Sequence, residues 1–324
     1  MVMGIVSVGG RVMRQSRWTL LIAALAAAPF VAQAQAKRSD STVALAGKPA
    51  EGYAGSATCT ECHKKEVATF AATFKGQLFL QHPRDEREAL GCESCHGPAK
   101  QHVQTGGEER GGLIVFGKKA PSPVAQRNET CLGCHAKTAR TLWRGSAHES
   151  RNVACTDCHS VMHAGTERGN LAKATVMQTC AQCHKQKVDQ LTRFSHMPLT
   201  DGKLECTTCH NPHGSPNEKL LLASSVNQTC FTCHAEKRGP FLYEHAPVVE
   251  NCANCHDPHG SNKEKLLKVS RPRLCQQCHP TAHGFTTAKP ADLATVRFVY
   301  NKGCVNCHVN LHGSNHPAGA FFTR

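Results

Sequence analysis

Twenty cysteines stand in ten pairs, each pair three residues apart and each followed at once by a histidine. The sets are Cys59/Cys62/His63, Cys92/Cys95/His96, Cys131/Cys134/His135, Cys155/Cys158/His159 and Cys180/Cys183/His184, then Cys206/Cys209/His210, Cys230/Cys233/His234, Cys252/Cys255/His256, Cys275/Cys278/His279 and Cys304/Cys307/His308. Two thiols at that spacing can each form a thioether to a vinyl group of one porphyrin. The histidine after them then stands under the iron. The pattern reads as c-type haem attachment, with histidine as the proximal ligand. Disulfides and four-cysteine zinc sites also use even cysteine counts. Neither explains a histidine after the second cysteine of every pair. Ten pairs consume all 20 cysteines, so no thiol is left over.

A second set of histidines completes the chemistry. In Cys206-Thr-Thr-Cys-His-Asn-Pro-His-Gly214, His213 follows His210 by three residues. That span reaches about 10 Å when extended, too little to round the edge of a macrocycle. His213 is therefore spare in its own site and available to a neighbouring one. Every even-numbered motif has such flanking histidines. The preceding ones are His82, His148, His196, His245 and, in the last case, His283; the following ones are His102, His163, His213, His259 and His312. These ten are the distal candidates. Of 21 histidines, ten lie in motifs and eleven outside, which leaves His316 as the extra one. Which candidate serves which haem is not legible at this level. Two axial histidines leave no open iron position, so electron transfer is favoured over bond-making, at lower potentials than His/Met ligation gives. Met162, Met177 and Met197 read as packing residues.

The elements that must carry these residues repeat with a two-haem period. First cysteines of the odd motifs fall at 59, 131, 180, 230 and 275, which defines five repeats. Cys209-His-Asn-Pro-His-Gly-Ser-Pro-Asn-Glu-Lys-Leu-Leu221 closely parallels Cys255-His-Asp-Pro-His-Gly-Ser-Asn-Lys-Glu-Lys-Leu-Leu267. Threonine precedes the first cysteine in four of the five odd motifs, and Leu274 stands there in the fifth. The first repeat is longer, and the Gly- and Pro-containing run from Gly97 to Pro123 accounts for it. That run reads as a surface loop, with a partner contact as the alternative. Aromatics are 5% of the chain and periodic apolar stretches are few. The haems themselves are expected to be the core. The expected fold is a multihaem cytochrome c, with loops and short α-helices wrapped around an elongated chain of ten haems and little or no β-sheet.

Residues 1–34 read as a signal peptide, with cleavage after Ala34 or Ala36, leaving 35–324 as the decahaem domain. Arg11, Arg14 and Arg17 make a basic start, Trp18 to Val31 is apolar, and Ala32-Gln-Ala34 is a small-x-small site. The apolar run is short for a membrane span of about 20 residues. Export to the periplasm of a Gram-negative bacterium is implied. Losing three arginines takes the formal +14 to +11. Ten ferric bis-histidine haems at about −1 each would bring this to roughly +1. The basic balance thus neutralises propionates, and nucleic-acid binding is not expected.

Across nearly the whole mature length the chain resembles the MtrA/DmsE family of periplasmic decahaem cytochromes, which includes MtoA and PioA, though without the long N-terminal extension of the PioA type. The resemblance rests on the ten motifs, the alternating outside histidines, the length and the cleavable signal. It implies a haem wire inside an outer-membrane β-barrel porin, passing electrons between periplasmic carriers and extracellular iron or other acceptors, often through an extracellular multihaem cytochrome. Two alternatives share the motifs: a soluble periplasmic shuttle to a reductase such as one for dimethyl sulfoxide, and a multihaem enzyme with a vacant axial position.

Overall fold

The structure is a computed structural model and describes residues 51–163, 166, 169–196, 201–280 and 303–323. The expected signal segment, Met197 and His283 lie outside the described residues. Among the described residues the chain is helix and loop, with isolated β-bridges and no strands. Helices are short, the longest among the described residues being Val124–His135 with 12 residues.

The reason lies in the motifs. A helical turn places residues i, i+3 and i+4 on one face, so a single turn presents both cysteines and the histidine together. The amide of His184 donates to Cys180 O, that of His210 to Cys206 O and that of His234 to Cys230 O, at 2.9–3.0 Å. One turn is all the attachment chemistry needs.

The odd motifs of the third and fourth repeats end slightly longer helices that begin at a hydroxyl cap. Thr175 accepts from Gln178 N and Ser225 from Gln228 N. The recurrent threonine before the first cysteine has a local role, because its hydroxyl bonds back to the carbonyl four residues earlier. Thr179 donates to Thr175 O and Thr229 to Ser225 O, both at 2.9 Å. Leu274 cannot do this.

The even motifs occupy one-turn helices such as Cys155–Cys158 and Cys206–Cys209. After those of the second, third and fourth repeats, the chain loops out and returns through two consecutive residues in the left-handed region: Gly169-Asn170, Lys219-Leu220 and Lys265-Leu266. Their second carbonyls accept from Ser160, Asn211 and Asp257 N at 2.8 Å. Bridges His159–Leu171, His210–Leu221 and His256–Leu267 close these returns.

Successive repeats meet at the recurrent His-Gly. Gly214 and Gly260 have φ of +120° and +138°. A Cβ at Gly260 would lie 2.0 Å from Gln190 O, so only glycine lets the preceding repeat approach so closely. Beside it, Ser261 bridges Phe194, as Ser314 bridges Tyr243 further along.

Apolar burial is thin. Phe70, Leu80, Leu132, Trp143, Leu191, Leu221 and Leu267 are buried, yet among the described residues no large side chain is fully enclosed. Polypeptide alone does not make a close-packed interior here. Polar staples between motifs are prominent instead. Asn128 donates to Val153 O and accepts from Cys155 N, while Asn227 donates to Val248 O and Val249 O and accepts from Cys252 N. Ser56 does the same in the first repeat, between Leu90 O and Cys92 N.

Candidate functional site

All 20 cysteines are free of disulfides. Among the described residues no cluster of three or more histidine, cysteine or acidic side chains is arranged to hold a bare metal ion. The cysteines nevertheless meet in order. First cysteines touch within a repeat: Cys59 with Cys92, Cys131 with Cys155, Cys180 with Cys206, Cys230 with Cys252 and Cys275 with Cys304. Second cysteines lie near each other across repeats, close enough to interact electrostatically: Cys95 with Cys134, Cys158 with Cys183, Cys209 with Cys233 and Cys255 with Cys278. Each motif therefore neighbours the next one in the sequence.

Cys62, Cys134, Cys183, Cys233, Cys278 and Cys307 are exposed, whereas the other fourteen cysteines are half-buried. The division follows the repeat. Cys62, Cys134, Cys183, Cys233 and Cys278 are the second cysteines of the five odd motifs, and Cys307 is that of the last motif. The histidines after the first five, His63, His135, His184, His234 and His279, are exposed as well.

The histidines show a second regularity. Among the described residues seven motif histidines face a histidine from elsewhere. His63 faces His102 with ring centroids 6.4 Å apart, His159 faces His213 at 5.9 Å and His184 faces His148 at 6.2 Å. His210 faces His259 at 6.1 Å, His234 faces His196 at 6.5 Å, His256 faces His312 at 6.3 Å and His279 faces His245 at 6.3 Å. Two metal–imidazole bonds of about 2.0–2.1 Å, with each nitrogen about 1.1 Å from its ring centre, put two axial rings about 6.3 Å apart across an iron. The observed separations match that span. Six of the pairs hold their ring planes within 15–31° of parallel, and His148–His184 is twisted to 64°.

The facing histidines come largely from other repeats. His213, His259 and His312 each reach back to the even motif of the repeat before, and His148, His196 and His245 each reach forward to the odd motif of the repeat after. His102 turns to its own repeat. Among the described residues His82, His135 and His163 form no such ring pair.

The ring tautomers follow from the backbone. Nδ1 of the motif histidines His96, His159, His210, His256 and His308 donates to the carbonyls of Ile114, Gly169, Lys219, Lys265 and Phe321, at 2.6–3.0 Å. Nδ1 of His102, His148 and His196 donates to Glu109, Pro212 and Pro258 O, at 2.7–2.9 Å. A carbonyl can only accept, so the proton sits on Nδ1 and the lone pair of Nε2 is left for a metal. Lys219 and Lys265 adopt φ of 54° and 55°, and that unusual backbone is what turns their carbonyls onto the rings. Burial pushes His213 down to about 4 and lowers His259 and His312, which favours the neutral, ligating form. His316 is the contrary case. Its Nδ1 accepts from Ala318 N, which places the proton on Nε2.

The run 97–123 is more than the surface loop its composition implies. Its carbonyls at Glu109 and Ile114 hold His102 and His96, and Phe116 meets the His96 ring edge-on at 5.3 Å. Gly and Pro mark where the chain turns; they carry no information about which carbonyls then face inward. Ser56, Asn128 and Asn227 are site-supporting residues that the motif reading passed over. The shared Asn-x-Thr-Cys before Cys131 and Cys230 was the available signal.

Haem fits this arrangement on independent grounds. Arg127 and Trp143 are buried, yet Arg127 Nε, Trp143 Nε1 and the nearby Thr156 Oγ1 have no hydrogen-bond partner in protein. Buried donors need acceptors, and haem propionates would supply them beside the third and fourth motifs.

Comparison with known proteins places these features. Models describing a doubled CXXCH motif match residues 196–239 and 245–284, a cytochrome c-type NrfB-like model matches 92–175, and a cytochrome c554 and c-prime model matches 26–97. The chain is 44% identical over 278 residues to the multiheme cytochrome MtrA of Shewanella baltica, covering 83% of this chain and 81% of that one. It is 25% identical to the cytochrome c-type protein NrfB of Haemophilus influenzae, over 54% of this chain and 87% of the relative. It is 28% identical to the C-type polyheme cytochrome OmcB of Geobacter sulfurreducens, over 59% of this chain and 25% of that longer protein.

Proposed function

The chain belongs to the MtrA family of multihaem c-type cytochromes, and from that premise we propose that it is a periplasmic decahaem conduit lodged in an outer-membrane β-barrel porin. It is an electron-transfer protein rather than an enzyme. Haem c supplies the redox-active iron when bound. The chain's own residues do the rest.

In this proposal the twenty cysteines hold ten haems, and the motif histidines ligate one face of each. His102, His213, His148, His259, His196, His312 and His245 take the opposite faces at the pairs they form. Extending the same cross-repeat rule gives His163 to the site of His96 and His82 to that of His135, and leaves His283 for that of His308. His316 stays outside the set. The observation that carries this is the set of seven histidine pairs at the separation an iron requires. Doubly ligated irons have no position for substrate, and the ordered cysteine neighbours support consecutive haem sites lying side by side.

The conduit reading follows from length. No helix among the described residues is long and apolar enough to cross a membrane. Ten porphyrin-sized steps nevertheless exceed the ~40–45 Å of a bilayer with headgroups. A barrel of about 20 or more strands can hold a plug in its lumen. Periplasmic carriers would meet one end and extracellular iron or a multihaem cytochrome the other. Fractionation of native membranes in mild detergent, followed by haem absorbance, tests this. Co-migration with a large β-barrel protein supports the conduit. Recovery wholly in the soluble periplasmic fraction replaces it with a shuttle.

A further inference from the structure

One buried charge has no role in the ligation just described. Glu93 lies between Cys92 and Cys95 and is 3% exposed. Its Oε1 accepts from Ala54 N and Ala99 N, both at 2.9 Å, and its Oε2 accepts from Gly55 N at 2.8 Å. All three donors are backbone amides. Among the described residues no lysine, arginine or histidine forms an ion pair with it. Burying a carboxylate without a countercharge is costly. The corresponding positions of the other even motifs are Thr156, Thr207, Ala253 and Val305, all uncharged. A charge at this position is peculiar to the first repeat; the second repeat carries Asp157 one position later, half-buried rather than buried.

Its partners explain where it acts. Ala54 and Gly55 lead directly into the helix Ser56–Cys62, whose turn presents Cys59, Cys62 and His63. Ala99 is the N-cap of the helix Lys100–Gln104, which carries His102. Glu93 itself sits on the turn that presents Cys92, Cys95 and His96. One carboxylate therefore ties together both histidines of the first site and the attachment turn of the second.

We propose that Glu93 is the positioning residue of the first haem pair and the fixed negative charge that holds the potential of that pair down. The proposal rests on the reading of these sites as bis-histidine haems. Reduction adds an electron to the iron, and a nearby anion in a poorly solvated interior opposes it by Coulomb repulsion. Backbone amides fix the carboxylate but bring no net charge to cancel it.

The test uses the full, haem-loaded protein and two variants. Glu93→Gln removes the charge while keeping one acceptor oxygen. Glu93→Met, of similar length, removes it without setting an NH₂ against Gly55 N, and serves if the Gln variant does not load haem. Redox titration followed by visible absorbance is expected to show about a fifth of the envelope easier to reduce by tenfold or more, about 59 mV for one electron. Glu93→Asp, which retains the charge, is expected to return towards the native curve. An unchanged curve in both neutral variants overturns the proposal. So does loss of low-spin signal with no shift in the haems that stay low-spin, which would mean a structural tie alone. A native protein whose first two haems are not low-spin would instead refute the bis-histidine reading beneath it, and the native spectrum reveals that before any variant is made.

Discussion

Truncating Asn227 to alanine should loosen the fourth repeat by an amount the structure allows to be worked out. The side chain is buried. It donates to Val248 O and Val249 O at 2.9 Å and accepts from Cys252 N at 2.7 Å. Removal leaves one amide and two carbonyls without partners. An unsatisfied buried group costs about 1–3 kcal/mol. Val249 is exposed and its carbonyl can turn to water, so the amide and one carbonyl remain, for a loss of about 2–6 kcal/mol. The assay is guanidinium unfolding of the haem-loaded protein, followed by the absorbance of the axially ligated haems. The same substitution at Asn128, which bridges Val153 O and Cys155 N, should give a comparable loss. A change below about 0.5 kcal/mol at both positions, the size expected of an ordinary surface substitution, would refute the reasoning. It would mean that the covalent haems alone hold each pair of motifs together.

The left-handed returns make a second prediction: Lys219→Gly is tolerated, whereas Lys219→Val destabilises by about 1–2 kcal/mol relative to it, because a β-branched residue is strained at positive φ. The same unfolding assay measures both. A third concerns acid. Arg84, hydrogen-bonded to the Glu88 carboxyl, holds it down at about 2, from 4.5. A depressed carboxyl adds stability that is complete above about pH 4.5 and fades as the pH falls towards 2. Native protein and Glu88→Gln should therefore differ most above pH 4.5 and converge below it, in a pH series of unfolding midpoints. A constant difference across the series would contradict this. Protonation of axial histidines affects both proteins alike and cancels in the comparison.

The attachment chemistry was plain in the residues because it is local: cysteine, cysteine and histidine act within one helical turn. The threonine before Cys180 and Cys230 is equally visible, and its cause is equally near, a hydroxyl bonded four residues back; the recurrent His-Gly is visible too, though its cause, the close approach of Gln190 to Gly260, lies in the preceding repeat. Exposure was not visible. All ten motifs share one spacing, yet Cys134 and Cys183 stand exposed while Cys95 and Cys158 are half-buried; the difference comes from what packs beside each turn, which the motif does not encode. The choice of partner histidine was hidden because it is set across repeats. His259 stands three residues from His256, yet its ring faces His210, 49 residues upstream. Nothing in local spacing specifies that; the Ser261–Phe194 bridge and the Gly260 contact do. The inward carbonyls of Glu109 and Ile114 escaped notice for a related reason, since any residue type can offer a carbonyl.

Ligation across repeats is the centre of the account, and spin state tests it most directly. Near-infrared magnetic circular dichroism and EPR of the oxidised full protein should show all haems low-spin with two histidine ligands. Replacing His259 with glycine should then turn about one haem in ten high-spin while all stay covalently attached. A native protein already carrying a substantial high-spin signal, or a His259→Gly variant that remains wholly low-spin, would contradict it.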